Sequence, residues 1–287
     1  MKKTLILFFL ISFLSNTLFA KAPKHECDTL AAHPDDIFKV GKGIEWDDLV
    51  SDKSIIACEE ALDEHPNETR FLFQLARANL KNENFEKSFD LFTHASIKNY
   101  PMAHFLLGLM SYYQDGDLDN YNLEFQITSF EKAFQLDKTL YDDSKFYIAS
   151  SYYYYKQYNK AIDLYLELEK QINNDNRLWI LFELGSAYYF SIDNSYKDSG
   201  TAKNAYINAT TYYKKILNEN LLDGPNEFDT SSTYHKLAYS LYELGNIEES
   251  INFYLKSIDY LEKAENLSED FFLKDIYLSS YGNLAEI

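Results

Sequence analysis

The sequence predicts an all-α protein built from repeated helix pairs. Its 287 residues include only 5 Pro and 9 Gly, so long stretches run without a helix breaker. Within these stretches, such as 145–170, apolar residues recur at intervals of three and four, which is typical of helices. A pattern of small and aromatic residues also recurs along the chain, and this indicates a repeat architecture.

Residues 1–20 have the layout of a secretory signal peptide. Lys2 and Lys3 precede an apolar stretch from Leu5 to Leu14, and a short segment then ends at Ala20. The apolar stretch is shorter than the roughly 20 residues that a transmembrane helix needs. We therefore expect cleavage near Ala20 and a periplasmic or secreted protein, with an uncleaved anchor as the alternative. No transmembrane segment is expected in the mature chain.

The charge balance argues against a nucleic acid partner. The chain carries 27 Lys and Arg against 45 Asp and Glu, a net charge of −18, and removal of Lys2 and Lys3 makes it about −20. Nucleic acid binding needs clustered cations, so no nucleic acid partner is expected. Hydrophobic residues make up 46% of the chain, which favours a folded protein over a disordered one.

Residues 21–64 form a segment that contains both cysteines, Cys27 and Cys58. In an oxidising compartment two cysteines are best interpreted as one disulfide, which predicts a pinned N-terminal segment. The loop it closes would contribute about 3–4 kcal/mol in the chain-entropy model. Two separate buried thiols are the alternative.

Two stretches, SKFYIASSYYYYKQYNKAIDLYLELEK (144–170) and STYHKLAYSLYELGNIEESINFYLKSI (232–258), show the repeat most clearly. Each places small residues where the two helices of a pair would touch, since larger side chains would hold the backbones apart. These copies resemble tetratricopeptide repeats, and the resemblance implies a right-handed α-solenoid over 65–260. Five units begin near Thr69, Pro101, Asp142, Leu178 and Ser231, with an insertion at 191–204 in the fourth. Residues 261–287 are expected to form a C-terminal helix or cap.

Two further stretches sharpen the resemblance. The long loop of the second unit, YYQDGDLDNYN (112–122), resembles the Sel-one-like variant of the repeat. The stretches 27–36, 55–62 and 65–80 resemble a segment that precedes such repeats in secreted bacterial proteins. In those relatives the two cysteines recur in this arrangement, which supports the Cys27–Cys58 pairing.

The resemblance also implies a binding surface, because the first helix of each tetratricopeptide unit lines a concave groove. Its second, fifth, ninth, twelfth and thirteenth positions give Arg70, Phe73, Arg77, Phe105, Tyr112, Tyr113, Phe146, Tyr153, Tyr154, Trp179, Phe182, Tyr189, Phe190, His235, Tyr239 and Tyr242. Aromatic residues at interfaces supply large contact areas. Arg70 and Arg77 share a helix face and could grip a partner's carboxylate. The alternative is that much of this stripe packs between neighbouring repeats.

Two acidic segments could carry metal chemistry. AHPDD (32–36) resembles the first zinc motif of metal-dependent de-N-acetylases, which would make His33, Asp35 and Asp36 part of a hydrolase site. That chemistry needs further histidine ligands, so we favour a Pro-containing turn capped by Asp35 or Asp36. DGDLDN (115–120) resembles the start of a calcium loop but has Asn120 where such loops have Gly. An acidic turn is favoured there, and a weak calcium site stays open.

The sequence as a whole predicts an exported scaffold or adaptor that binds a protein or peptide in an aromatic groove. We expect no catalytic residues, no metal and no cofactor. A structural component of a cell-envelope assembly complex is the first alternative, and the metal-dependent hydrolase is a remote one.

Overall fold

The computed structural model describes residues 22–116, 118, 121–171, 177–191, 200–222, 227–263 and 271–287. The predicted signal peptide at 1–20, most of the predicted insertion and part of the acidic segment 115–120 lie outside these residues. Throughout the described residues the regular structure is helical, as the sequence predicts, and it contains no strand. The chain divides into two compact units, residues 1–110 with 114–118 and residues 111–113 with 119–287, here called unit 1 and unit 2.

Unit 1 holds the N-terminal segment and the first predicted repeat. Its helices are α1 Glu26–Ala31, α2 Ser51–Glu64, α3 Thr69–Lys81, α4 Phe85–Ile97 and most of α5 Pro101–Tyr113. Helices α3 and α4 pack as a pair. Ser88 on α4 is fully buried and its hydroxyl donates to the Ala76 carbonyl at 2.9 Å. A small residue is needed here because the two backbones approach closely.

A disulfide lies in the core of unit 1. Cys27 on α1 is bonded to Cys58 on α2, as the sequence predicts, with their Cα atoms 4.7 Å apart. Both cysteines are fully buried and pack with Phe71 and Leu75 of α3. The bond therefore links α1 to α2 within the N-terminal segment, and the apolar cluster around it packs this segment against α3 of the first repeat.

Unit 2 contains the remaining repeats in sequence order. Its helices are α6 Leu123–Leu136, α7 Tyr141–Tyr154, α8 Tyr158–Gln171, α9 Arg177–Phe190, α10 Gly200–Asn218, α11 Glu227–Glu243, α12 Ile247–Glu262 and α13 Phe271–Glu286. Neighbouring helices pack against each other, with α7–α8, α9–α10 and α11–α12 forming the predicted pairs. The Ser250 hydroxyl donates to the Ala238 carbonyl at 2.7 Å. This is the same bond, twelve residues apart, that links Ser88 to Ala76 in unit 1.

The turns inside the helix pairs have a repeated backbone geometry. Glu83, Lys156 and Gly245 all have left-handed φ angles, of 59°, 59° and 79°. They occupy the same place in the first, third and fifth predicted units, directly before the second helix. Only Gly adopts this conformation without steric cost, so the turn geometry is imposed by helix packing at the other two positions.

Helix α13 ends unit 2 and packs on α11 and α12. Leu273 and Ser280 are buried, whereas Phe271, Phe272 and Leu278 are exposed. The helix therefore lies where the first helix of a further repeat would lie. No helix in the described ranges is both long and apolar enough to cross a membrane.

Candidate binding surface on the first helices of the repeats

The predicted groove residues of the first repeat are buried. Arg70, Phe73 and Arg77 on α3 are each no more than 1% exposed. The cause is the first part of the N-terminal segment, residues 22–46, which covers this face of α3. The prediction that Arg70 and Arg77 grip a partner is therefore wrong for this structure, because their guanidinium groups are engaged by the chain itself.

Arg77 binds the backbone of the covering segment. Its guanidinium donates to the carbonyl oxygens of Ala31 and Ala32 at 3.2 and 3.1 Å and to that of Ile44 at 2.6 Å. These contacts hold the end of α1 and the following loop against α3. Burial, opposed by the negative charge of Glu45, lowers the pKa of Arg77 to about 10.

Arg70 holds the start of the same segment. It donates to the Asp28 carboxylate at 2.9 Å and to the Pro23 carbonyl at 2.8 Å, and it pairs with Glu68 at 2.8 Å. Burial alone raises the pKa of Asp28, but the hydrogen bonds from Arg70, His25 and Gln74 lower it overall. The Asp28 carboxylate thus accepts from Arg70 and Gln74, and Arg70 is paired with two carboxylates, Asp28 and Glu68.

The AHPDD segment forms a turn, as favoured from the sequence. The Asp36 backbone amide donates to the His33 carbonyl at 3.3 Å, and the Asp36 carboxylate accepts the Phe38 amide at 2.9 Å. The Tyr100 hydroxyl also donates to Asp36. His33 accepts the Asp35 amide at 3.1 Å, and burial followed by the charge of Arg77 lowers its pKa to about 4. These side chains are thus engaged in holding the turn.

The first helices in unit 2 carry a row of exposed rings. Tyr113, Tyr154 and Phe190 occupy the thirteenth position of three successive predicted repeats and are 60%, 59% and 43% exposed. Tyr153 links the row, since its ring lies 6.1 Å from that of Phe190. We call these four residues, together with the partly exposed Glu183 and Lys236, the aromatic face.

The tyrosines one position earlier have a different role. Tyr112 and Tyr153 are partly buried and hydrogen-bond to Ser150 and Ser186 on the first helix of the next repeat. Each serine also bonds a buried tyrosine on the second helix of its own repeat. The distances are 2.8 Å for Ser150 to Tyr165 and 3.1 Å for Ser186 to Tyr213. These Tyr–Ser–Tyr links join consecutive repeats, so this part of the predicted stripe is structural.

The rest of the predicted stripe is mixed. Phe105 and Phe182 are buried, and Phe146 packs against Tyr147 and Tyr165. Tyr189 packs edge-on against Tyr239, while His235 contacts the Ser280 hydroxyl. Trp179 is 40% exposed, and Tyr242 is partly buried. The alternative considered from the sequence, packing between repeats, therefore describes several of these positions.

Sequence reasoning missed a charged group within the aromatic face. Glu183 on α9 and Lys236 on α11 occupy the sixth position of consecutive repeats, and Asp229 lies about two turns before Lys236 on α11. The Lys236 ammonium donates to Ser186 at 3.1 Å and lies 4.5 Å from the centre of the Phe182 ring. Two opposite charges at the same position of consecutive repeats are a sequence signal that could have found them.

Burial governs the ionisation of these charges. It raises the pKa of Glu183 to about 7, with Lys236 opposing the shift and Asp229 adding to it. It lowers the pKa of Lys236 to about 8, against the attraction of Glu183 and Asp229. Burial also raises the pKa of Asp229. The three groups thus sit where water shields them poorly, which strengthens any contact they make with a ligand.

Comparisons with known proteins bear on the fold. No protein-family model matches the chain, and no curated protein matches it. Solved structures do match. BtubC from P. vanneervenii is 16% identical with a TM-score of 0.51, over 73% of this chain and 87% of the other. The apo form of RapI is 14% identical with a TM-score of 0.54, over 81% and 70%.

A third match is the apo form of the quorum sensor NprR from B. thuringiensis, 17% identical with a TM-score of 0.53 over 80% of this chain. The match spans 66% of NprR, just under two thirds. The chain described here is therefore a tetratricopeptide-like repeat protein. Three observations agree on that fold: the helix pairs, the small residues between them and the similarity to these structures. Because the sequence identities are low, the similarity does not indicate a function, which has to be argued from the site.

Proposed function

We propose that this tetratricopeptide-like protein is an exported scaffold that binds a protein or peptide segment on the aromatic face of unit 2. The observation that carries the proposal is the row Tyr113, Tyr154 and Phe190. These rings are exposed by 43–60% at one position that recurs in successive repeats, so they present apolar area to solvent. Aromatic residues are enriched at interface hot spots, because rigid rings bury a large area at low entropic cost.

The contrast between the units supports this location. In unit 1 the matching face of α3 is covered by residues 22–46, and Arg70 and Arg77 are used to hold them. The exposed rings of unit 2 have no such cover from the residues that the structure describes. The proposed partner surface is therefore the unit 2 portion of the groove predicted from the sequence.

Export is supported by two features. Residues 1–20 have the signal-peptide layout, and Cys27 and Cys58 form a fully buried disulfide, a bond that persists in oxidising compartments. Mass spectrometry of protein purified from the cell envelope or the medium should show a mature chain that begins at Lys21. Full-length protein recovered with the cytoplasm would contradict the proposal.

Site-specific cross-linking tests the binding surface. A photoreactive benzoylphenylalanine at Tyr154 should give a covalent adduct with a defined partner in intact cells. The same group at Leu255, which is 51% exposed on α12, is the matched control and should give none. Changing Tyr113 and Phe190 to Ser should abolish the adduct from Tyr154, since both are surface rings whose loss leaves the core intact. Equal adducts from both positions would exclude the aromatic face as the binding surface.

A further inference from the structure

Unit 1 contains an open cavity of about 1220 Å³ at the ends of its helices. Three parts of the chain surround it: residues 22–23 with Phe38, residues 64–69 between α2 and α3, and residues 98–100 between α4 and α5. Sites for small molecules are concave, mostly apolar and usually about 300–1,000 Å³ in volume. The cavity is therefore large enough for a small ligand, and the chemistry of its walls indicates which kind.

Rings and prolines form the apolar part of the wall. Phe38 is 40% exposed, and its ring centre lies 5.3 Å from that of Tyr100. Pro23 and Pro66 line the same cavity. A ligand that covers Phe38 removes apolar area from water, which favours binding. The walls therefore favour a ligand with an apolar body.

Hydrogen bonds within unit 1 hold these walls in place. The Tyr100 hydroxyl donates to the Asp36 carboxylate, which also accepts the Phe38 amide at 2.9 Å. Arg70 donates to the Pro23 carbonyl at 2.8 Å. A ligand that enters a preformed cavity does not have to order the residues around it, so binding costs less conformational entropy.

The charged groups of the wall differ in whether a ligand can use them. Glu68 is already engaged, since its carboxylate pairs with Arg70 at 2.8 Å and accepts the Ala22 amide at 3.0 Å. Glu64 at the end of α2 and Lys98 directly after α4 are exposed. Neither of their side chains makes an ion pair or a hydrogen bond with the described part of the chain. One carboxylate and one ammonium, on different loops, are therefore available to a ligand.

This combination favours a zwitterion over an ion of one sign. A cation would be attracted by Glu64 but repelled by Lys98, and an anion would experience the reverse. A molecule that carries both an ammonium and a carboxylate can meet an opposite charge at each end. Amino acids and short peptides with free ends are the common molecules with this chemistry.

We propose that the cavity of unit 1 binds a small zwitterion with an apolar body, an amino acid or a short peptide with free ends. The ammonium of the ligand pairs with Glu64, its carboxylate pairs with Lys98, and its apolar side chain packs on Phe38. This site does not involve the aromatic face of unit 2, so it is a second binding site that does not depend on the proposed function.

The test uses ligands that differ only in their charges. Alanyl-phenylalanine, its N-acetyl form, its C-terminal amide and the doubly blocked form are titrated into the purified chain by isothermal titration calorimetry. Free phenylalanine is titrated as well, to distinguish an amino acid from a peptide. Three variants each remove one proposed contact: Glu64→Gln, Lys98→Gln and Phe38→Ser.

Three control variants change exposed residues that do not line the cavity. Glu131 on α6 controls for the loss of a negative charge, and Lys53 on α2 controls for the loss of a positive charge. Ile56 is 59% exposed on α2 and controls for the loss of an apolar side chain. The variants are Glu131→Gln, Lys53→Gln and Ile56→Ser. Thermal unfolding confirms that every variant is folded.

Alanyl-phenylalanine should bind wild type about fivefold more tightly than either singly blocked form, and the doubly blocked form should bind most weakly. Glu64→Gln should weaken the free dipeptide about fivefold and leave the N-acetyl form unchanged, because that form has no ammonium to pair. Lys98→Gln should likewise leave the C-terminal amide unchanged. Phe38→Ser should weaken all forms, and the controls should change binding less than twofold. Phenylalanine that binds as tightly as the dipeptide supports an amino acid ligand, and weaker binding supports a peptide.

Two results would overturn the inference. If the doubly blocked form binds wild type as tightly as the free dipeptide, then the pairing with Glu64 and Lys98 is wrong. If no form binds, or if all forms bind Phe38→Ser as well as wild type, then the cavity does not take such ligands. Cross-linking from Tyr154 measures the proposed function separately, so either failure is distinguishable from a failure of that proposal.

Discussion

For Arg77, the sequence predicts the helix face on which the side chain lies but not what covers that face. Helical spacing placed Arg70 and Arg77 on one face of α3, and the structure agrees. What covers that face could not be predicted, because the carbonyl groups that Arg77 binds belong to residues 33 to 46 positions earlier. Local periodicity reports which side chains share a face, whereas burial of that face depends on contacts distant in sequence.

Removing the Arg77 side-chain charge should destabilise unit 1. In Arg77→Met the carbonyls of Ala31, Ala32 and Ile44 lose their donor while remaining shielded from water, which should cost about 2–4 kcal/mol of unfolding free energy. Urea denaturation checks this. Lys87→Met, which breaks the half-exposed pair with Glu59, is the control and should cost less than about 1 kcal/mol. Similar losses in both variants would contradict the role given to Arg77.

Glu183 should make the stability of unit 2 depend on pH. Its pKa is raised from 4.5 to about 7, so the folded state favours the neutral carboxyl. Below about pH 4.5 the group is protonated in both states and costs nothing. As the pH rises to about 7, Glu183 ionises in the unfolded state but stays largely protonated in the folded state. The free energy of unfolding therefore falls over this range. Glu183→Gln removes this titration. The free energy of unfolding of the variant relative to wild type should therefore increase by about 2 kcal/mol between pH 4.5 and pH 7, a value reduced for the partial exposure of Glu183.

Urea denaturation of wild type and Glu183→Gln at pH 4.5 and pH 7.5 measures this difference. Lys236, Asp229 and the tyrosines that face Glu183 are present in both proteins, so their own titrations largely cancel in the comparison. A stability difference that does not change with pH would show that folding does not raise the pKa of Glu183.

At the scale of elements, the helix pairs were predictable and the links between them were not. The small residues Ala76, Ser88, Ala238 and Ser250 repeat at fixed spacing, and this local pattern encodes the contact inside each pair. The Tyr–Ser–Tyr links join a first helix to the next repeat. Tyr153 contacts Ser186 of the next repeat, whereas Tyr154 is an exposed ring. The sequence alone cannot distinguish these roles, since the two residues are adjacent and chemically identical.

Two helical glycines offer a matched test of helix packing. A Cβ at Gly185 on α9 would lie 2.9 Å from the Tyr213 ring, which is fully buried and hydrogen-bonded to Ser186. Gly185→Ala should therefore destabilise unit 2 by about 1–3 kcal/mol through overpacking. At Gly282 on α13 an added Cβ meets nothing within 4 Å, so Gly282→Ala should stabilise the helix by about 0.5–1 kcal/mol. Thermal unfolding measures both, and a stabilising Gly185→Ala would contradict the close approach of α9 and α10.

At the scale of the whole molecule, the sequence predicted one continuous array over 65–260 after a separate N-terminal segment. The compact units of the structure divide within α5, and the N-terminal segment belongs to unit 1 together with the first repeat; the bounds of the array stay a prediction. The repeat pattern continues through α5, so nothing local marks the division; it emerges from which helices pack together. The disulfide was predictable from two cysteines and an expected oxidising compartment. Its packing against α3 was not predictable from the sequence.

The disulfide should stabilise unit 1 selectively. Cys27 and Cys58 are separated by 31 positions, and closing a loop of this length limits the unfolded chain, which is worth about 3–4 kcal/mol. In Cys27→Ala/Cys58→Ala, amide hydrogen exchange should speed up in α1, α2 and α3, which share the cysteine cluster. Exchange in α9 to α12 should stay unchanged, because their core contains no cysteine.

Dithiothreitol should reproduce the effect on wild type and have none on the double variant. Faster exchange in both units would show that they unfold together, and unchanged exchange in α1 would show that Arg70 and Arg77 hold the segment without the bond.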